Sequence, residues 1–296
     1  MTEALTIAGC LQAAPQLAAV SDSPRLDIEI LLAHILEKSR TYLFTWPEKK
    51  LLPAQAKLFQ EYFQRRLNGE PVAHIIGQRE FWSLPFFVDN TTLIPRPDTE
   101  LLVEAALNLF AEDAPEQARK LLDLGTGTGA IVLALAHEKK HWQCVGVDKS
   151  PAAVALAEKN RAHLQLANAC IQQSDWFASL AHNRFDIIVS NPPYIDPADP
   201  HLQHGDVRFE PRSALVAENA GLADIEWIAQ QAPHYLLPEG WLLVEHGYNQ
   251  GAAVRDVFEH YGYVQVKTLR DYGDNERVTL GQVAIAHHNP GEGNSR

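Results

Sequence analysis

Asn191-Pro192-Pro193-Tyr194 is the stretch with the clearest chemical content. It follows Phe185-Asp186-Ile187-Ile188-Val189-Ser190, an apolar run that predicts a buried parallel strand. Two consecutive prolines lack backbone N–H groups and cannot continue a ladder or a helix. They hold the chain extended, with carbonyls free to accept hydrogen bonds. Asn191 adds a side-chain acceptor before them and Tyr194 a flat face after them. Two acceptors and a ring make a clamp for a planar NH2 group. Such nitrogens, in amides and exocyclic amines, are poor nucleophiles, so the chemistry is one of positioning.

A second stretch, Lys120-Leu121-Leu122-Asp123-Leu124-Gly125-Thr126-Gly127-Thr128-Gly129-Ala130, reads as a strand, a glycine-rich turn and a helix. Glycines let the backbone bend sharply and approach a ligand. Asp148 ends the next strand, Val145-Gly146-Val147-Asp148, where an acid can accept from both ribose hydroxyls of a nucleoside. The spacing Gly125-x-Gly127-x-x-Ala130 also satisfies the looser dinucleotide fingerprint, so NAD and S-adenosylmethionine are both open at this point. Asp123 suits the positively charged methionine end of the latter and would repel a pyrophosphate. The clamp after the fourth strand lies where a methyltransferase holds its substrate, and no hydride-transfer constellation is visible. Trp176, in Ser174-Asp175-Trp176-Phe177, is a candidate to stack on adenine or to fill the core.

These motifs need a frame. From 120 the pattern alternates strand and helix. Strands are expected at 120–124, 144–148, 169–174, 185–190, 241–246, 264–269 and 277–285, and helices near 129–138, 151–163, 221–236 and 249–260. Alternation predicts an α/β fold with a parallel sheet covered on both faces. Asp271-Tyr272-Gly273-Asp274-Asn275 is a turn without a helix, so the last strand is expected to be antiparallel. Residues 1–74 read as a small helical bundle. One helix opens at Ser23-Pro24; another runs from Pro53 to Leu67 and stops at Asn68-Gly69. Residues 75–95 read as a β-hairpin linker with Asp89-Asn90 as a turn, and Asp98 as the N-cap of a helix reaching Phe110. A sheet-bearing domain is expected over 96–286, and 287–296 as a disordered tail.

Composition excludes several classes. The chain has 296 residues, 46% hydrophobic, with no apolar run of transmembrane length and no basic signal-peptide start. Cys10, Cys144 and Cys170 form no CxxC and suggest a reducing, cytoplasmic address. No HExxH is present, and His201 and His204 fit a polar loop better than a metal site, so no metal is expected. Residues 1–80 hold nine basic and nine acidic side chains, while the remainder hold 16 and 28 and so the whole net charge of −12. An acidic balance argues against a large nucleic-acid footprint.

Gly125–Gly129, Asp148, Asp175-Trp176 and Asn191–Tyr194 together resemble the class I S-adenosylmethionine-dependent methyltransferases of the release-factor glutamine methyltransferase family (HemK/PrmC). Pro95-Arg96-Pro97-Asp98-Thr99-Glu100, Phe209-Glu210-Pro211-Arg212 and Leu243-Val244-Glu245-His246-Gly247 are similar to that family as well. The resemblance implies a Rossmann-like, seven-stranded, mostly parallel sheet with a reversed last strand. It implies methyl transfer from S-adenosyl-L-methionine to the glutamine amide of the Gly-Gly-Gln motif in class I peptide chain release factors, leaving S-adenosyl-L-homocysteine. Gly125, Thr126, Gly127, Thr128 and Gly129 would wrap the methionine and ribose, Asp148 the ribose hydroxyls, and Trp176 the adenine. Asn191, Pro192, Pro193 and Tyr194 would hold the amide, with Asn191 also near the cofactor. The amino-terminal domain would grip the release factor, with the enzyme monomeric. The alternative is an amino-methyltransferase acting on a base of DNA or rRNA, which shares the N-P-P-Y clamp. Ala214–Gly221 is less glycine-rich than many relatives, which leaves the shape of that loop open.

Overall fold

Apolar runs in the central strands, flanked by more polar edge strands, build one sheet. In this computed structural model, residues 5–181, 183–203 and 205–284 are described. The expected tail 287–296 and His204 lie outside the described residues. The chain divides into two compact units. One comprises Met1–Arg79, Val88–Asn90 and Asp199–Pro211; the other comprises Glu80–Phe87, Thr91–Ala198 and Arg212–Arg296.

The first unit contains helices α1 (Ile7–Leu11), α2 (Pro24–Leu36), α3 (Arg40–Thr45), α4 (Pro53–Leu67) and α5 (Val72–Ile76). Pro24 and Pro53 sit at first helical positions, where the missing N–H is not needed. Ile7, Cys10, Leu17, Ile28, Leu32, Leu43 and Phe59 form its apolar core. Arg66 is buried beside that core, and four of its donors are used: it donates to Asp27 at 2.7 Å and to the carbonyls of Val20, Gly69 and Glu70.

Strands β1 (Gln78–Phe81) and β2 (Leu84–Phe87) form a two-stranded sheet. The linker reading needs correction here. Ile75 and Ile76 end α5 rather than start a strand, because Gly77 at φ +71° closes that helix. The hairpin turns at Trp82 and Ser83, both at positive φ as a two-residue type I′ turn requires, and a separate turn follows at Asn90.

The second unit holds β3 (Lys120–Leu124), β4 (Gln143–Asp148), β5 (Ala169–Gln173), β6 (Phe185–Ser190), β7 (Leu236–Glu245), β8 (Tyr263–Arg270) and β9 (Glu276–Val283) in the order β5-β4-β3-β6-β7-β9-β8. Pairings from β5 through β7 are parallel; β9 runs antiparallel between β7 and β8. Helices are α6 (Glu100–Leu109), α7 (Ala130–Glu138), α8 (Pro151–His163), the short α9 (Glu218–Gly221), α10 (Ala223–Gln231) and α11 (Gly251–His260). Adjacent residues of one strand feed opposite layers: Leu121, Ile187 and Leu243 pack with α6 and α7, while Leu122, Ile188 and Leu242 pack with α10 and α11. That explains why the central strands β3 and β6 read as apolar runs. The fold is the expected seven-stranded, mostly parallel α/β sheet with a reversed last strand. Asp98 does not cap α6. Thr99 is already helical, the first turn is a 3-10 turn over Pro97–Thr99, and the Asp98 carboxylate lies 3.7 Å from Arg277.

Candidate active site

The two motifs meet because of register. Leu124 pairs with Ser190, so Gly125 and Asn191 leave neighbouring parallel strands side by side. The Ser190 hydroxyl donates to the Leu124 carbonyl at 2.8 Å and ties the strand ends together. From β3 the chain order runs outward in both directions, and a crevice beyond the strand ends at such a switch point is the ligand site of open α/β sheets.

The glycine loop is built by its own backbone. Gly125, Gly127 and Gly129 all have positive φ, at +69°, +54° and +82°. The Thr126 N–H donates to the Val147 carbonyl at 2.9 Å, and the Gly129 N–H to the Thr126 carbonyl at 2.8 Å. A Cβ at Gly129 would lie 2.9 Å from Leu133, whereas one at Gly127 would meet nothing closer than 3.9 Å. The tight glycine lets α7 pack; the open one leaves room beside the loop. Asn160, fully buried on α8, staples this region, donating to the carbonyls of Thr128 at 2.9 Å and Phe87 at 3.0 Å and accepting from the Phe87 N–H.

Asp148 stands at the end of β4. Its Oδ2 accepts from the Gly127 N–H at 3.0 Å and its Oδ1 from Ser150 N–H at 2.8 Å. Each oxygen keeps a lone pair for a ribose hydroxyl. Trp176, at φ +49°, is held by a Ser174 hydroxyl that donates to its carbonyl at 2.7 Å. It is half-buried against the core, and a Cβ on Gly125 would lie 3.6 Å from its ring. The ring thus packs on the core and also lies beside the glycine loop. The bare backbone at Gly125 and Gly127, the ring beside it and the doubly anchored carboxylate fit an adenosine-type cofactor. Asp123 does not contribute as expected. It is fully buried, and its Oδ2 accepts from the Thr126 hydroxyl at 2.6 Å and from the Val132 N–H at 3.3 Å, so it braces the loop from beneath. Burial pushes its carboxyl up to about 7.

On the clamp side, Asn191 is half-buried and its amide nitrogen donates to the Thr99 hydroxyl at 3.2 Å. That leaves Oδ1 as the free acceptor. Pro192 is buried, and no donor among the described residues occupies its carbonyl. The Tyr194 hydroxyl donates to Glu245 at 3.3 Å, and its carbonyl accepts from the Gln250 amide at 3.0 Å. Burial raises the Tyr194 phenol well above its ordinary value, with the Glu245 charge adding to the rise, so it stays protonated. Ile195 then pairs with the 215–217 segment, its N–H donating to Leu215 and its carbonyl accepting from Ala217.

That segment leads into the loop of open shape. Asn219, Ala220 and Gly221 are three consecutive left-handed residues, and a Cβ on Gly221 would lie 2.0 Å from the Tyr194 carbonyl oxygen. Gln250 bridges the same spot, donating to both Tyr194 and Ala220 carbonyls.

Beneath the clamp, Thr99 and Glu245 stood in the sequence only as members of the family-like segments Pro95–Glu100 and Leu243–Gly247, without a role, and Arg277 and Gln250 were missed. The one signal was an acid ending an apolar strand, Leu242-Leu243-Val244-Glu245. Glu245 is 1% exposed. Burial pushes its carboxyl up to about 7, against hydrogen bonding from Thr99, the Arg277 charge and the Tyr194 hydroxyl.

Comparison with known proteins places these features in context. A family model described as the PrmC N-terminal domain matches residues 11–77, and one described as the methyltransferase small domain matches 99–206. A release factor glutamine methyltransferase of Shewanella oneidensis is 56% identical over 95% of this chain and 98% of its own length. The protein of the same name from Escherichia coli is 55% identical over 88% of this chain and 93% of its own. Among solved structures, a Thermus thermophilus 16S rRNA N2 G1207 methyltransferase in complex with AdoMet and guanosine is similar at TM-score 0.50 and 22% identity, covering 70% of this chain and 49% of that one. A methyltransferase from Pyrococcus furiosus is similar at TM-score 0.50 and 15% identity, covering 76% and 100%. The last two likenesses concern the fold.

Proposed function

The chain belongs to the release factor glutamine methyltransferase family, and from that premise we propose that it methylates the side-chain amide nitrogen (N5) of the Gly-Gly-Gln glutamine in class I peptide chain release factors. The observation that carries the reading is the register Leu124↔Ser190, which sets the glycine loop and the planar-amide clamp next to each other.

S-adenosyl-L-methionine, when bound, supplies an activated methyl group. Gly125, Thr126, Gly127, Thr128 and Gly129 hold its methionine and ribose, Asp148 the ribose hydroxyls and Trp176 the adenine. Asn191 Oδ1 and the Pro192 carbonyl each accept one N–H of the substrate amide, and Tyr194 packs on its plane. The amide lone pair is delocalised into its carbonyl, so fixing the nitrogen in place contributes more than removing a proton. Both acceptors strengthen as positive charge grows on nitrogen, which favours the transition state over bound substrate. Pro193 keeps the segment stiff so that the two acceptors hold their spacing.

In the same reading, the helical unit of α1 to α5 grips the release factor and the unit that holds the seven-stranded sheet carries the catalysis. The three cysteines are free, in keeping with a cytoplasmic address. No helix among the described residues is long and apolar enough to cross a membrane. We take the enzyme to act as a monomer without direct nucleic-acid binding; a dimer in sedimentation equilibrium would overturn the first point.

The test is transfer of labelled methyl to an unmethylated release factor, its Gly-Gly-Gln→Gly-Gly-Ala variant, duplex DNA and ribosomal RNA in parallel. Label on the release factor and not on the variant supports the reading. Label only on nucleic acid would replace it with base methylation through the same clamp.

A further inference from the structure

An asparagine amide is nearly symmetric in shape, and the clamp works only if Asn191 presents oxygen rather than nitrogen to the substrate. Something must set that choice. The amide nitrogen of Asn191 donates to Thr99 Oγ1 at 3.2 Å. The Thr99 hydroxyl is itself buried and has a single hydrogen to give. The carboxylate of Glu245 is near enough for the Thr99 side chain to favour its ionised form. Glu245 Oε1 receives the Tyr194 hydroxyl at 3.3 Å, while Oε2 has no partner in hydrogen-bond geometry among the described residues. One buried carboxylate thus stands behind both ends of the clamp.

We propose that Glu245 is a positioning residue that fixes the orientation of Asn191 through Thr99 and anchors Tyr194 directly. An ionised carboxylate only accepts. It therefore draws the Thr99 hydrogen, and Thr99 is left as an acceptor toward Asn191. Asn191 must then turn its NH2 to Thr99 and its oxygen to the substrate. Protonated Glu245 can itself donate, so Thr99 is free to donate to Asn191 and the amide can turn over. This inference rests on the proposed methyl transfer to an amide.

Three neighbouring elements bear on the ionisation. Tyr194 faces Glu245 from the segment after β6, Arg277 from β9, and Asp98 and Thr99 from the turn before α6, while His246 follows it in the chain. Arg277 is shared, lying 3.1 Å from Asp271 and 3.7 Å from Asp98, and Arg96 acts on Tyr194. With burial holding the Glu245 carboxyl near neutrality, the orienting state is the high-pH one.

The experiment measures kcat and KM of the full-length enzyme on an unmethylated release factor at saturating S-adenosylmethionine from pH 5.5 to 9. For wild type, kcat should fall about tenfold from pH 8 to pH 6, as expected for an essential group titrating near 7. Glu245→Gln should lower kcat at pH 8 by about 10- to 100-fold, flatten that limb and leave cofactor affinity within about twofold. Thr99→Val should cause a similar loss, and the double variant should be no worse than the singles, because all act through one chain of hydrogen bonds. Glu245→Asp should recover part of the rate together with the pH limb. Asp123 titrates in the same range, but it braces the glycine loop, so its effect falls on the cofactor KM. If Glu245→Gln keeps the wild-type rate and limb, or the losses of Glu245→Gln and Thr99→Val multiply, the inference is wrong. If Glu245→Gln does not fold, Thr99→Val at wild-type kcat is equally fatal to it. Failure of the wild-type enzyme to label the release factor at all would instead sink the proposed function.

Discussion

Asn191 gives its nitrogen to Thr99, so its contribution to the reaction falls to one oxygen atom. Asn191→Ala should therefore lower kcat by roughly 10²- to 10³-fold, the usual loss for one preorganised group acting on developing charge. Its cofactor Kd, measured by calorimetry, should not move; a weakened Kd with unchanged turnover would contradict this role. Asp148 lies on the other side of the division. Its two oxygens accept from Gly127 and Ser150, and with the proposed ribose contact Asp148→Ala should weaken cofactor binding by about 10- to 100-fold. An unchanged dissociation constant would count against it. Both residues were legible in the sequence because each is a polar side chain at the end of an apolar strand. Thr99 and Glu245 stood only inside the family-like segments Pro95–Glu100 and Leu243–Gly247, with no role attached. Their meaning arises from partners 92 and 51 residues away along the chain, which no local pattern encodes. Asp123 was misjudged for a related reason: its neighbours in sequence suggested a ligand, but its burial belongs to the sheet.

At the scale of elements, the central strands of the sheet were readable because burial on both faces leaves apolar runs. The hairpin was misplaced because Ile75 and Ile76 are β-branched yet sit in a helix closed by Gly77, where packing overrides propensity. The loop behind the clamp was open in the sequence, and the structure shows why its residues matter. Ala220 adopts φ +53° without the freedom of glycine. Ala220→Gly should stabilise the fold by roughly 1 kcal/mol, since the left-handed conformation costs a side-chain-bearing residue about that much. A melting scan should register it as a rise of about 2–4 °C; a fall would mean that the loop tolerates alanine better than its backbone suggests. Gly221→Ala should do the reverse and more. Its Cβ would meet the Tyr194 carbonyl, so both melting temperature and turnover should drop.

At the scale of the whole molecule, Asp123 and Glu245 are two fully buried acids, each pushed up to about 7 from ordinary values of 3.8 and 4.5. Raised acids cost stability once ionised. The cost is absent below their unfolded values, grows as pH climbs, and is complete above about 7. His74 and His246 act oppositely, because burial pushes both below 6.5 and the fold weakens as pH falls through that value. The four effects overlap, so a variant must separate them. Relative to wild type, Glu245→Gln should gain on the order of 3 kcal/mol of stability between pH 5 and pH 8 in urea unfolding, because glutamine does not titrate. A constant difference across that range would mean that Glu245 is ionised in the fold throughout. The two acids also hold their protons only while the chain is folded. Near pH 6 each would hand a proton to the solvent on unfolding, and the buffer would absorb it with its own heat. The unfolding enthalpy of wild type minus that of Glu245→Gln should then differ between an amine buffer and phosphate, a calorimetric signature of the buried carboxyl that needs neither substrate nor cofactor.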